Sequence, residues 1–290
     1  MGESGSTFPN GDNLGLEAGD LEFTERILYD VERFETVASR LIRASEHFLG
    51  FPFRLNPNGN GEGALDSEPS IVLREFDCMT FVETVLALGY SKSVEQFASL
   101  LSRLQYGSMP AAFENRLHFP YSQWALTNEK QGFFDIVRAP PMIKRISEVN
   151  VDTWLGFLPR NMLYGNVDFG SQEAIKAIGE IRRRLGKTYS FEMFSGSAST
   201  LLRMQMLKLG DIVGFTSLGG PLSQYPGERG SIAHLGIVVA VEPSVLIRAA
   251  SSRFHKVVDR SLSKLAKGVG ATEVEIVLLR TEKKSLNAFS

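Results

Sequence analysis

Two residues far apart in this chain have the types and positions needed for nucleophilic chemistry. The single cysteine lies in Glu75-Phe76-Asp77-Cys78-Met79-Thr80-Phe81-Val82-Glu83, where a polar start runs into an apolar helical repeat. Phe81, Val82, Val85 and Leu86 fall at i, i+1, i+4 and i+5, which predicts a helix beginning at or near Cys78. Unpaired N–H groups and the positive end of the helix dipole favour a thiolate there, so a lowered thiol pKa is expected. A buried, inert cysteine fits the same window, because free cysteine packs as a small apolar residue.

Four histidines are available as partners. His234 opens an apolar run directly after the Gly/Pro-rich stretch 218–231, so it is held by a strand on one side and open on the other, as a general base requires. His47 reads as a helix C-terminal residue and His255 as part of a polar turn. A cysteine at a helix start and a histidine at a strand start suit a cysteine hydrolase. No G-x-S-x-G is present for a serine hydrolase, and no H-x-x-x-H or C-x-x-C for a metal site, so neither metal nor cofactor is expected. The segment Asn115-Arg116-Leu117-His118-Phe119-Pro120-Tyr121-Ser122-Gln123-Trp124, with Asn128 and Gly132 beyond, mixes apolar bodies with polar tips. It suits a ligand pocket, and it equally suits a core plug of Phe119 and Trp124 capped by His118.

The elements that position these residues follow from periodicity. Residues 1–18 are Gly-, Asn- and Ser-rich and read as a mobile tail, with residues 19–290 as one domain. Leu21, Ile27, Leu28, Val31, Phe34, Val37, Leu41 and Ile42 predict an amphipathic helix over 20–49, broken at most once. Further helices are expected over 93–104 and 171–185, the latter with Ser171 as N-cap and Gly186 just beyond. Little is assignable over 131–164 beyond a short turn at 154–158. From Gly210 the period changes to two, with strands at 211–215, 234–241, 245–249, 256–258 and 273–279 and a short helix at 261–267. A mainly helical part over 19–200 is thus followed by an antiparallel sheet over 201–290, an α+β class.

At 290 residues, 43% hydrophobic and 22% charged, the chain can bury a large core. A net charge of −2 and a pI near 6.2 give no field to attract nucleic acid, and no eighteen-residue apolar run predicts a membrane span. The first residues lack the basic and apolar regions of a secretory signal. One cysteine cannot form an internal disulfide, so cytoplasm and periplasm are both compatible.

Three ordered segments carry a family resemblance: Phe76-Asp77-Cys78-Met79-Thr80-Phe81-Val82-Glu83, Gly210-Asp211-Ile212-Val213, and Ala233-His234-Leu235-Gly236-Ile237. They resemble the NlpC-type, papain-like cell-wall cysteine hydrolases. Arg116-Leu117-His118-Phe119 with Trp124, Asn128 and Gly132 resembles the N-acetylmuramoyl-L-alanine amidase-like family within them. The resemblance implies a papain-like core and cleavage of the amide between N-acetylmuramic acid, often in anhydro form, and L-alanine. It makes Cys78 the nucleophile, His234 the base, and Arg116, His118, Tyr121, Trp124, Asn128 and Arg248 substrate-binding residues. Muropeptides become the expected partners and periplasm or exterior the expected location, with cytoplasm still open. Where such enzymes carry a polar third residue, often histidine, this chain reads Arg248-Ala249-Ala250-Ser251-Ser252, which leaves Ser251 or a main-chain carbonyl to orient His234. A stem-peptide endopeptidase and a peptidoglycan-binding protein with weakened catalysis are the alternative expectations.

Overall fold

The structure is a computed structural model of the 290-residue chain, and it describes residues 16, 18–60, 65–66, 70–158, 167–216, 232–268, 274–282, 284–286 and 289. The tail expected over 1–18 and the loop 218–231 above His234 lie almost wholly outside the described residues. The first helical repeat is broken once: α1 spans Ala18–Glu32 and α2 Val37–Glu46. Thr36 makes the break by accepting the Ser39 N–H and so starting α2 afresh. Helix α3 is Cys78–Tyr90 and α4 is Val94–Tyr106, with Ser93 as the α4 N-cap.

A π-helical turn over Pro120–Ala125 leads into α5 (Leu126–Lys130), then the short β1 (Asp135–Ile136), β2 (Ile143–Asn150), α6 (Val151–Phe157), α7 (Gln172–Leu185) and β3 (Thr188–Ser197). Helix α8 (Ala198–Arg203), β4 (Ile212–Thr216), β5 (Ile232–Ala240), β6 (Leu246–Ser251), β7 (Lys256–Ser261), α9 (Leu262–Gly268) and β8 (Glu275–Arg280) complete the order. The strands form one antiparallel sheet in the order β2-β3-β8-β4-β5-β6-β7, with β1 on β8. The class is α+β as expected, but three strands of the sheet come from 135–197. Strand β2 hid from periodicity because six of its eight side chains are at least partly exposed and its apolar positions do not alternate with burial.

Two apolar cores flank the sheet. Ile212, Leu235, Ile237, Ala250, Val257 and Val277 face the layer of α1 to α4, while Val213, Phe215, Val238, Ile247, Ile276 and Leu278 face α8 and α9. Helix α3 lies between α2, α4 and strands β5 and β6, and every residue from Thr80 to Tyr90 is buried. A helix apolar all round belongs in a core. Gly89 permits the close approach of α2, since a Cβ there would stand 2.4 Å from Leu41 Cδ2. The far end of α3 is held by Arg40 of α2, whose Nη2 donates to the Ser91 carbonyl at 2.7 Å.

The Gly210-Asp211 pair is a structural latch. Gly210 sits at φ +76 with Ala38 filling the space a Cβ would take, 2.5 Å from Ala38 Cβ. Asp211 is buried and accepts the Lys208 N–H and two bonds from Arg280. Gly210→Ala is therefore expected to destabilise the fold by about 2 to 4 kcal/mol through a strained φ and a clash with main-chain atoms. Gly179→Ala in α7, where a Cβ meets nothing within 4 Å, is expected to gain about 0.5 to 1 kcal/mol from helix propensity alone. Urea denaturation of the two variants beside the wild type measures both.

Candidate active site

The start of α3 is fixed by the Asp77 carboxylate. Its oxygens accept the N–H groups of Met79 at 3.0 Å, Thr80 at 2.8 Å and Asn56 at 2.9 Å, and the Thr80 side chain returns a bond from the Asp77 N–H at 3.0 Å. This is a full capping box, so the helix begins at Cys78 and nowhere else. The preceding Phe76 is wholly buried against Phe48 at a ring distance of 4.9 Å, and its main chain bridges to Phe53. Packing on one side and capping on the other leave the Cys78 side chain a narrow range of positions.

Cys78 is partly accessible and meets strand β5. Pairing between β5 and β6 runs from Ala240–Leu246 to Ile237–Arg248 and stops short of His234. The main-chain N–H groups of Leu235, Cys78 and Met79 favour the thiolate. The lowered thiol pKa expected from the helix start is overturned. Burial, aided by the Asp77 carboxylate, pushes the Cys78 thiol up to about 12, more than the three amides pull it down. At neutral pH the sulfur therefore rests as a thiol and needs a base to become a nucleophile.

His234, the base candidate, directly precedes Leu235, whose main-chain N–H favours the thiolate. Its ring is half-buried 5.8 Å from Phe215, the residue opposite on β4. Alternation gives His234 the Phe215 face of the sheet, while its neighbour Leu235 packs in the helix-side core with Cys78, so the imidazole and the sulfur lie on opposite faces of β5. Burial, with the nearby Arg260 charge, lowers the imidazole pKa to about 4. The ring is neutral at pH 7 and able to accept a proton. No hydrogen bond joins it to Cys78 or Ser251 among the described residues. Ser251 is buried at the end of β6, and continuing the β5–β6 register beyond Ile237–Arg248 sets it opposite His234.

Beside Cys78 opens a polar cleft lined by residues that include Asn56, Asp77, Thr80, Glu83, Arg116 and His118. Of the expected substrate-binding residues, Arg116 and His118 reach this cleft. Arg116 Nη1 donates to the Asn58 carbonyl at 2.7 Å, which fixes its stem. His118 Nε2 donates to the Phe113 carbonyl at 2.7 Å, and burial holds its pKa down to about 3, so it serves as a neutral wall.

The structure places the other expected contacts away from this cleft. Tyr121 is fully buried, stacks on Phe191 and accepts the Phe194 N–H at 3.0 Å. Trp124 packs on Phe134 in the interior, and Phe119 packs on Trp154. Asn128 is wholly buried and bonds the Leu104 carbonyl at 3.0 Å. Arg248 is locked by two bonds to Asp259, at 2.7 and 2.8 Å, and one to Ser45 of α2. These side chains build the wall behind the cleft and the brace between α2 and the sheet; none lines the cleft.

Glu83, by contrast, was not singled out from the sequence, although it stands within the cysteine motif. It is 3% exposed, lines the cleft, and accepts a long bond from Gln105 at 3.4 Å. The Trp124 indole N–H acts on the same carboxyl but falls short of hydrogen-bond geometry. Burial raises the Glu83 pKa to about 7 against the opposing Arg116 charge. The available signal was a carboxylate inside an otherwise apolar helix face.

Asp77→Asn keeps the capping oxygen and removes the charge next to the sulfur. The variant is expected to alkylate at Cys78 about three- to tenfold faster than wild type at pH 8. The rate of iodoacetamide labelling, followed by intact mass, checks this.

The profile of the N-acetylmuramoyl-L-alanine amidase-like family matches residues 43–269, which contain the α3 start, the cleft and both strands around His234. A crystal structure of a Legionella pneumophila protein superposes with a TM-score of 0.75 at 22% identity, over 92% of this chain and 96% of that one. An N-acetylmuramoyl-L-alanine amidase from Bacteroides uniformis superposes with a TM-score of 0.64 at 23% identity, over 85% of this chain and 99% of that one. No curated protein matches the chain in sequence. With more than half of its length matched, the chain belongs to the N-acetylmuramoyl-L-alanine amidase-like family.

Proposed function

We propose that the protein is a cysteine amidase of the NlpC-type, papain-like superfamily that hydrolyses the bond between N-acetylmuramic acid, including its anhydro form, and L-alanine in muropeptides. The observation that carries this reading is Cys78 at the capped start of α3, packed against the strand β5 that bears His234, within the segment that matches the amidase-like family. His234 is the proposed base: once its ring turns from the Phe215 face of β5 to the α3 face, the neutral imidazole takes the thiol proton as sulfur attacks the lactyl carbonyl carbon. The N–H of Cys78 at the helix start stabilises the oxyanion. His234 then returns the proton to the amine of L-alanine as the C–N bond breaks and a thioester remains. Water, deprotonated by the same imidazole, cleaves the thioester, releases the muramic acid carboxylate and restores the thiol.

Ser251 is the proposed orienter of His234, from its place across the register. Arg116 and His118 are the proposed walls of the substrate cleft, whose polar lining suits hydroxyl and amide groups. A periplasmic or secreted site of action follows from such a substrate. A second reading, muropeptide binding with little turnover, is favoured by the raised thiol pKa and by the imidazole having no hydrogen bond among the described residues.

Incubation with defined muropeptides and mass spectrometry of the products separates these readings. Wild type is expected to release the intact stem peptide with its L-alanine amine free. Cys78→Ala and His234→Ala are expected to lose at least about a thousandfold, and Ser251→Ala about ten- to hundredfold, in kcat. A cut within the stem peptide would make the protein an endopeptidase, and binding of uncut substrate by wild type would favour the second reading.

A further inference from the structure

The turn between β6 and β7, with the face of β7 that follows it, gathers positive charge that no neighbouring carboxylate answers. Ser252 to Lys256 are exposed without a break, so the turn stands out from the body of the protein. Phe254 in this turn is 44% exposed, and two guanidinium groups lie over its ring, Arg260 at 5.0 Å and Arg253 at 5.9 Å from the centroid. A ring attracts each cation and neutralises neither. Arg253 and Arg260 form no ion pair among the described residues, and the Arg253 charge acts against that of Arg260.

Alternation along β7 puts Lys256, Val258 and Arg260 on one face. Between Ser252 and Lys264 the only carboxylate is Asp259. It points to the opposite face, where Arg248 takes both its oxygens. Glu75, beside the bridge from Phe53 to Phe76, is paired with Arg54 at 2.7 Å. Lys264 adds an exposed cation on α9, which packs on β7. The turn is held in place, because the Phe53 N–H donates to the His255 carbonyl at 3.0 Å and the Val257 N–H to the Phe51 carbonyl at 2.9 Å.

We propose that this turn docks the protein on an anionic lipid surface, with Phe254 entering the headgroup boundary and Arg253, Lys256 and Arg260 meeting the lipid phosphates. An aromatic ring set among cations suits that boundary, where the apolar body leaves water and the charges keep polar partners. A small anion is better held by an enclosing pocket than by a turn that stands out, whereas a lipid surface offers dense negative charge to a cluster of cations. The whole chain has a net charge of −2, so this patch alone does the attracting and sets the orientation of approach. Contact is peripheral, since no helix among the described residues is long and apolar enough to cross a membrane. The proposal does not depend on the amidase reading.

Sedimentation of the full chain with vesicles of phosphatidylcholine alone, or of phosphatidylcholine and phosphatidylglycerol in equal parts, tests it. Wild type is expected to partition at least about tenfold more strongly onto the anionic vesicles, and to lose most of that excess between about 50 and about 500 mM salt. Arg253→Gln and Lys256→Gln are each expected to weaken anionic binding about three- to fivefold, and Phe254→Ser about three- to tenfold. Lys176→Gln, which removes an exposed cation from α7, is expected to bind as wild type. In Phe254→Trp the new indole is expected to shift its emission to the blue on anionic vesicles only, against the constant signal of the buried Trp124 and Trp154. Each substituted side chain is exposed, so the fold is expected to survive, and circular dichroism checks this. Equal partition onto both vesicle types, an unshifted indole, or undiminished binding in Arg253→Gln and Lys256→Gln would overturn the proposal. Binding to soluble polyglutamate with none to anionic vesicles would assign the patch to an acidic polymer and overturn it as well.

Discussion

The Asp77 carboxylate fixes more of this site than any other group. Three main-chain N–H groups converge on it, two from the first turn of α3 and one from Asn56, so one side chain both starts the helix and ties an outlying loop to it. The same charge stands beside the sulfur and opposes its ionisation. Helix capping and thiol activation, which would reinforce each other at a helix start with a neutral cap, are here in competition. The structure favours positional accuracy over a ready-made thiolate. Burial leaves a thiol near 12 and an imidazole near 4, so both groups rest neutral at pH 7.

The cleft follows the same logic of charges held out of water. Glu83, Arg116 and His118 are each tied to main chain or to a buried neighbour, which leaves little freedom for side chains to rearrange around a ligand. Electrostatic fields in such a cleft are fixed before substrate arrives, which is how a site acts without reorganising itself.

Much of the helical layer was legible in the chain because caps and periodicity agree. Thr36, Asp77, Ser93 and Ser171 each accept an N–H at a helix start. The strands from β4 onward were legible because apolar runs are framed by turn residues. Strand β2 was not, since exposed strands paired mainly with one neighbour lose the alternation that burial imposes. The helix start at Cys78 and the family were legible in the chain, but the walls of the cleft were not. Tyr121, Trp124 and Asn128 have the chemistry of ligand contacts and are buried as packing, the first two in the π-helical turn at 120–125 and the third in α5. Glu83 has the look of a misplaced charge in a core helix, and only three-dimensional placement gives it a cleft to line. Arg248 shows the same limit from the other side, since its partner Asp259 lies on the next strand.

Burial of α3 on every side gives Cys78 an unusual mount. Hydrolase nucleophiles carried on loops can be displaced by local fraying, at a cost well below that of global unfolding. Here the turn that carries Cys78 is continuous with a helix buried from Thr80 to Tyr90 and wedged between two helices and two strands. Amide exchange in this helix should therefore be among the slowest in the molecule, and the sulfur cannot drift from its place beside β5 by partial opening. Thermal inactivation and loss of the fold become one event, and the catalytic life of the protein equals the lifetime of its native state.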